Sequence, residues 1–170
     1  MLHVSIVENN PGETHSLKQS LLKYQREKGV SLAVSTYANG IDFLEAYTPE
    51  SDLVLMDIDM PLLNGIETAE KLREKDQQVL LIFVTNLSQY AMAGYRVQAF
   101  DYLLKPVREP LLFMTMDRAL RNLPMRDDGV LIPHHGSRIK TSYSRIYYVE
   151  IKDHQIEYHT ADGVYSDRET

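Results

Sequence analysis

Short apolar runs alternate with amphipathic stretches along the first part of the chain. An apolar run that ends at turn residues is typical of a strand buried on both faces of a parallel sheet. Between the runs, apolar side chains recur at helical spacing, as Leu17 and Leu21 do. The pattern predicts strands at 4–7, 32–37, 53–56, 79–84 and 99–104, and helices at 13–28, 41–46, 66–72, 88–94 and 111–123.

This alternation of strands and helices predicts an α/β domain at residues 1–123, built on a doubly wound five-stranded parallel sheet. Residues 124–129 are polar, begin with proline and end with glycine, and are typical of a linker. After them the helical period disappears, and short β-type runs separated by turn residues predict an all-β segment at 130–170. A β unit of about 40 residues buries little surface, so we expect this segment to be the incomplete opening part of a larger domain.

Composition narrows the class of protein. The hydrophobic content of 44% and the charged content of 25% are ordinary for a globular domain. The apolar runs are too short to span a membrane, the first residues lack a basic signal segment, and there is no cysteine. We therefore expect a cytoplasmic protein without membrane association. The net charge of -6 argues against a protein that coats nucleic acid non-specifically, but it does not exclude a local basic surface.

Chemically useful side chains follow four of the predicted strands. Glu8 follows the first strand, Asp57 the third, Thr85 the fourth and Lys105 the fifth. Because parallel strands end at the same edge of a sheet, we expect these side chains to converge.

Two carboxylates, a hydroxyl and an ammonium suit Mg²⁺ together with a phosphoryl group. Asp57 can attack phosphorus as a nucleophile, while Thr85 and Lys105 bind phosphoryl oxygens. Taken alone, an acid at the position of Asp57 more often caps the next helix, and Thr85 and Lys105 would ordinarily have structural or solvated roles. Four suitable residues at corresponding strand ends favour a joint site.

Three motifs add a family resemblance. The pattern Asp57-x-x-Met60-Pro61-x-x-x-Gly65, the pair Val84-Thr85 and the pair Lys105-Pro106 resemble the phosphoacceptor, switch-hydroxyl and lysine motifs of response regulator receiver domains. The resemblance implies a flavodoxin-like fold and a non-enzymatic signalling protein. It also implies that Asp57 is phosphorylated by a sensor histidine kinase.

The same resemblance implies further roles. Glu8, Asn9, Asp57 and the backbone carbonyl of Asp59 would bind Mg²⁺. Tyr102 stands at the position of the family's switch aromatic, so phosphorylation would move it together with the switch hydroxyl. The predicted consequence is a changed surface around the fourth helix and fifth strand, where we expect a homodimer contact.

The later residues are similar to regulators with a LytTR-type DNA-binding domain, most clearly in the stretches 90–106 and 144–150. This resemblance implies promoter DNA as a partner of a full-length form and a role in transcription. Lys152 and His154, on a predicted turn, are the candidate DNA contacts. Because an incomplete sheet has unpaired edges, we expect the 170-residue form to self-associate through the segment after Val130 and to bind DNA weakly.

The chain departs from the receiver pattern at two positions. The family's second acid is replaced by Asn9, whose neutral carbonyl predicts weaker metal binding. Asn86 stands where the family has a small residue, which predicts crowding of the phosphoryl pocket.

Two other functions compete with the receiver. The sequence Asp57-Ile-Asp59 superficially resembles the catalytic pair of haloacid-dehalogenase-like phosphatases, but those enzymes need a further acidic pair downstream. A phosphorylation-independent interaction module is the other alternative, prompted by Asn9. Histidines 134, 135, 154 and 159 lack any recognised ligand spacing, so we predict surface or DNA-facing roles for them rather than metal binding.

Overall fold

A computed structural model of the chain describes residues 1–123, 129–134, 137–152 and 155–166. The chain divides into two compact units, Met1–Pro124 and Met125–Thr170. The predicted linker at 124–129 falls almost wholly outside the described residues. Gly129, its last residue, opens the first described strand of the second unit.

In the described part of the first unit, strands and helices alternate as the hydrophobic pattern predicts. The strands are β1 (Leu2–Val7), β2 (Leu32–Tyr37), β3 (Leu53–Met56), β4 (Leu80–Thr85) and β5 (Asp101–Leu104). The α-helices are α1 (Pro11–Lys28), α2 (Gly40–Ala46), α3 (Gly65–Lys75), α4 (Ala91–Arg96) and α5 (Glu109–Asn122).

The five strands form one sheet in the order β2-β1-β3-β4-β5, and every neighbouring pair is parallel. This topology confirms the predicted doubly wound fold. The strand order changes direction between β1 and β3, and a crevice forms at such a switch point beside the carboxyl ends of the strands. Glu8 and Asp57 directly follow these two strands.

Hydrophobic side chains fill both faces of the sheet. On β3, Leu53 and Leu55 belong to one core cluster with α1 and α5, whereas Val54 and Met56 belong to a second cluster with α2 and α3. All four side chains are buried. Burial on both faces explains why this strand is apolar without alternation.

Each of the five helices begins one to three residues away from its predicted start, and α1 and α4 show why. Helix α1 begins at Pro11, before the predicted start at residue 13, because the Asn10 side chain caps it by accepting the backbone N–H groups of Gly12 and Glu13. The predicted helix at 88–94 is a 3₁₀ turn at Ser88–Tyr90 followed by α4. No side chain caps α4 among the described contacts, and Gly94 lowers its helix propensity.

The second unit is all-β in its described residues, as predicted. Strands β6 (Gly129–His134) and β7 (Ser137–Ser142) form an antiparallel pair. A 3₁₀ turn precedes β8 (Ile146–Lys152), which joins β9 (Gln155–Thr160) and β10 (Gly163–Ser166) in a three-stranded antiparallel sheet. None of the helices described in either unit is long and apolar enough to cross a membrane.

Candidate functional site

Three of the predicted side chains meet in a buried ionic cluster at the carboxyl edge of the parallel sheet. The Lys105 ammonium donates hydrogen bonds to Glu8 Oε2 at 2.6 Å and to Asp57 Oδ2 at 2.8 Å. Glu8 and Asp57 are only 3% and 5% exposed. The Lys105–Pro106 peptide bond that follows β5 is cis. The strand ends therefore converge as predicted, with one cation between two carboxylates.

Backbone amides hold the other oxygen of the Asp57 carboxylate. Asp57 Oδ1 accepts the N–H groups of Ile58 at 2.6 Å and Asp59 at 3.2 Å. Burial alone would raise the pKa of Asp57, but hydrogen bonds from Lys105 and Thr85, the charge of Lys105 and the Asp59 amide lower it on balance. The carboxylate is thus kept ionised and fixed in orientation.

Glu8 and Lys105 both have a raised pKa, for different reasons. Burial raises the pKa of Glu8, and the nearby charge of Asp57 adds to this, against the opposing Lys105 contact and the Asn10 N–H bond. Burial would lower the pKa of Lys105, but its bonds and charge interactions with both carboxylates raise it on balance. Two carboxylates and one ammonium leave a net negative charge in a buried place, and hard oxygen donors of this kind fit Mg²⁺.

Gly65 allows the loop after Asp57 to pack closely on the strand end. Its N–H donates to the Ile58 carbonyl at 3.0 Å. A Cβ at position 65 would lie 2.1 Å from the Asp57 carbonyl oxygen, so only glycine fits there. The adjacent Asn64 forms a capping box with Glu67 and starts α3 at this point. The motif spacing therefore reflects a packing requirement beside the candidate phosphoacceptor.

The remaining predicted metal and pocket positions lie at the surface. Asn9 and Asp59 are exposed, and Asn9 lines a groove of about 390 Å³ together with Glu8 and Lys18. Asn86, directly after β4, is also exposed. Asn9 is thus close enough to Glu8 to share a groove, while the buried cluster itself consists of Glu8, Asp57 and Lys105.

Thr85 and Tyr102 are connected through the backbone of one residue. The buried Thr85 hydroxyl oxygen accepts the Leu87 N–H at 3.3 Å, and the Tyr102 hydroxyl donates to the Leu87 carbonyl. The Tyr102 ring is half-buried, with its centroid 6.0 Å from that of Phe83. Burial raises the pKa of Tyr102, and the charge of Asp57 raises it further.

Sequence reasoning missed the part that Leu87 plays. Its connecting groups are a backbone amide and a backbone carbonyl, which every residue except proline carries, so residue type gives no signal. The same holds for the Ile58 amide and for the Asn10 amide, which donates to Glu8 Oε1 at 2.8 Å.

The candidate DNA contacts are described only in part. Lys152, the last residue of β8, is exposed. His154 and His135 lie outside the described residues. His159 on β9 is partly buried, and its Nε2 atom lies 2.8 Å from Glu150 Oε1. The sequence predicted a surface or DNA-facing role for His159 and did not predict this contact.

Comparison with known proteins agrees with this geometry. Residues 4–117 match the response regulator receiver domain family. The chain is 31% identical over 169 residues to the transcriptional regulatory protein BtsR of Escherichia coli (strain K12). The alignment covers 97% of this chain and 69% of BtsR. It is 32% identical over 125 residues to the sensory transduction protein LytT of Oceanobacillus iheyensis, in an alignment that covers 72% of this chain and 49% of LytT.

A solved structure shows the same fold. The response regulator TrrA of Thermotoga maritima, solved in complex with Mg²⁺-BeF, is 26% identical, has a TM-score of 0.59, and covers 70% of this chain and 99% of its own. The all-β second unit is consistent with a LytTR-type domain. The chain belongs to the response regulator receiver domain family and is a two-component response regulator of the LytTR-type group.

Proposed function

We propose that Asp57 accepts a phosphoryl group from a sensor histidine kinase. The observation that carries this proposal is the buried contact of Lys105 with both Glu8 and Asp57. A carboxylate with a lowered pKa, an ammonium that donates to it and a hydroxyl beside it together suit nucleophilic attack on phosphorus. The exposed Asp59 and the family match to receivers both favour this function over a phosphatase.

The chain's own residues account for the transfer. An Asp57 oxygen forms the new bond to phosphorus while the bond from phosphorus to the donor breaks. The Lys105 ammonium then donates to a phosphoryl oxygen in place of one carboxylate oxygen, and the Thr85 hydroxyl donates to another. The amides of Ile58 and Asp59 keep the carboxylate aligned throughout.

Glu8 and Asp57 would hold Mg²⁺, with Asn9 and the backbone carbonyl of Asp59 completing the proposed ligand set. When bound, Mg²⁺ neutralises charge on the phosphoryl group and the carboxylates. The net negative charge of the cluster supports this ligand set, as does the Mg²⁺-BeF complex of TrrA. Because Asn9 offers a neutral oxygen, Asn9→Asp should tighten Mg²⁺ binding in a calorimetric titration, and an unchanged affinity would remove Asn9 from the set.

Phosphorylation would act through Thr85 and Tyr102 on the surface of α4 and β5, where we place a homodimer contact. Met92, Tyr95 and Leu104 are exposed there, beside a groove of about 270 Å³. Exposed apolar side chains near one another favour association. Light scattering should show stronger self-association with a beryllofluoride phosphoryl mimic, and equal association in both states would contradict this contact.

The output we propose is regulation of transcription through promoter DNA in a longer form of the protein. The relative BtsR is a transcriptional regulatory protein, which supports this output. For the 170-residue form we keep the prediction of weak DNA binding and self-association through the second unit. A gel shift at nanomolar protein that is lost in Lys152→Ala would contradict it.

The decisive experiment is incubation with acetyl phosphate and Mg²⁺ followed by intact mass measurement. We expect a single phosphoryl adduct on the wild-type chain and none on Asp57→Asn. The exposed Asp42→Asn variant is the matched control and should label like the wild type. Turnover of acetyl phosphate without an adduct would indicate a phosphatase, and the absence of any reaction would indicate an interaction module.

A further inference from the structure

On the three-stranded sheet of the second unit, one imidazole lies between two carboxylates. Glu150 on β8 and Glu157 on β9 are direct partners in the strand register. The Nε2 atom of His159 is 2.8 Å from Glu150 Oε1 and 3.7 Å from Glu157 Oε2. Like charges directly opposite each other on paired strands are unfavourable, so this arrangement favours a cation that both carboxylates share.

We propose that Glu150, Glu157 and His159 form a binding site for Zn²⁺. One oxygen from each carboxylate and the imidazole nitrogen all lie within 4.8 Å of one another. In a tetrahedral zinc site, ligand atoms at about 2.0 to 2.2 Å from the metal are separated by about 3.3 Å from each other. The observed separations of 2.8 and 3.7 Å lie on either side of that value.

The donor set favours Zn²⁺ over Mg²⁺, the metal proposed for the receiver unit, Met1–Pro124. Mg²⁺ takes oxygen ligands in octahedral geometry, whereas imidazole nitrogen with carboxylate oxygen suits zinc and other late divalent ions. Three protein ligands leave a fourth position for water or for a donor from a partner. The site therefore differs in chemistry from the Glu8 and Asp57 cluster.

Packing on the sheet already orients the imidazole. Tyr148, the register partner of His159, stacks on its ring with the centroids 4.2 Å apart and an interplanar angle of 13°. The side chains of His159 and Glu157 are only 20% and 23% exposed, so their freedom of rotation is restricted. Binding then requires only small changes in the side chains. The exposed Lys152 lies on the same face of β8 by strand alternation, and its charge weakens the affinity for a cation.

The test is a zinc titration of the metal-stripped 170-residue protein in excess Mg²⁺, which occupies the acids of the receiver unit. Calorimetry should show one zinc ion bound per chain with an affinity that falls by roughly tenfold or more in His159→Gln and in Glu157→Gln. The exposed His15→Gln, in the first unit, is the matched control and should bind zinc like the wild type.

A second measurement on the wild-type chain does not depend on how the variants fold. The ¹⁵N NMR signal of His159 Nε2 should shift as zinc is added and stop shifting at one equivalent. An unmoved His159 signal would overturn the proposal, as would equal zinc affinity in folded His159→Gln and wild-type protein. In either case the cluster is a set of polar contacts between the imidazole and the two carboxylates and no metal site.

Discussion

Strands β3 and β8 are both rich in apolar residues, yet their side chains lie in opposite environments. Every residue of β3 is buried, because helices cover both faces of the parallel sheet. On β8, six of the seven residues are exposed, and Ile151 is 78% exposed. An apolar run thus predicts a strand in both units, but the layers packed on that strand decide whether its side chains contribute to stability.

The Lys105 cluster of the first unit and the His159 cluster of the second unit show a similar contrast in exposure. In the first unit the ammonium of Lys105 lies between two buried carboxylates. In the second unit the imidazole of His159 lies between two partly exposed carboxylates. Charge interactions are strong where water is excluded and are screened where it is present. The difference can be measured by removing one member of an ion pair in each unit.

Lys105→Met should have the largest effect of the changes considered. It leaves two buried carboxylates facing each other without a cation, which should lower the free energy of unfolding by about 4 kcal/mol. Urea unfolding at neutral pH, followed by circular dichroism, measures the loss.

The control for this change is an ion pair in the second unit. Arg145 pairs with Asp162 through two hydrogen bonds, but both side chains are about half exposed. Arg145→Met should therefore change the unfolding curve little. An equal loss in both variants would refute the contrast between buried and solvated ion pairs.

Truncation of apolar side chains tests the same contrast without charge. Leu55→Ala in the buried β3 should cost about 3 kcal/mol, since it leaves a cavity in a packed core. Ile151→Ala in the exposed face of β8 should change stability by less than about 0.5 kcal/mol. A substantial loss in the second variant would show that the exposed face of β8 is covered in solution.

Asp76→Asn should make the stability of the receiver unit less dependent on pH. The Asp76 carboxylate accepts hydrogen bonds from the Tyr47 hydroxyl at 2.7 Å and from the amides of Gln78 and Val79 at 2.6 and 2.9 Å. Burial alone would raise the pKa of Asp76, but these bonds lower it on balance from the ordinary value of 3.8.

A lowered folded-state pKa stabilises the protein above the unfolded value, and this stability is lost as the pH falls through the folded value. The variant should therefore be less stable than the wild type by about 2 kcal/mol at neutral pH. Urea titrations at several pH values should show the gap closing as the pH falls below about 4. A gap that stays constant would contradict the assignment.

Tyr102→Phe should have a smaller effect on stability than Asp76→Asn and a larger one on signalling. It removes the hydrogen bond to the Leu87 carbonyl but keeps the ring beside Phe83, so the loss should be about 1 kcal/mol or less. Light scattering with the phosphoryl mimic should show a changed association. If both stability and association match the wild type, Tyr102 has no part in the switch.

Most of the receiver fold could be predicted from the sequence because its signals are local. The apolar run at 53–56 and the turn residues after it set a buried strand, and the alternation with helices sets the parallel order. The convergence of Glu8, Asp57 and Lys105 follows from that order. The weak helix at 88–94 was misplaced because neither a side-chain cap nor a strong propensity fixes where α4 starts.

Contacts made across the structure were not predictable in the same way. The histidine spacing predicts no metal site, because Glu150 on β8 meets His159 on β9 only through the pairing of the two strands. Register depends on which residues two strands bring opposite each other, and sequence spacing does not contain it. The roles of backbone amides near Asp57 are hidden for the related reason that all residues carry them.

The position of Leu87 between Thr85 and Tyr102 has a kinetic consequence. Its N–H and its carbonyl belong to adjoining peptide units, so a backbone movement that lengthens one hydrogen bond also displaces the other. Movements of the hydroxyl and of the ring are therefore expected as a single exchange process, with one rate constant at both positions. Relaxation-dispersion NMR would then fit the Thr85 methyl group and the Tyr102 ring to the same rate and the same minor population.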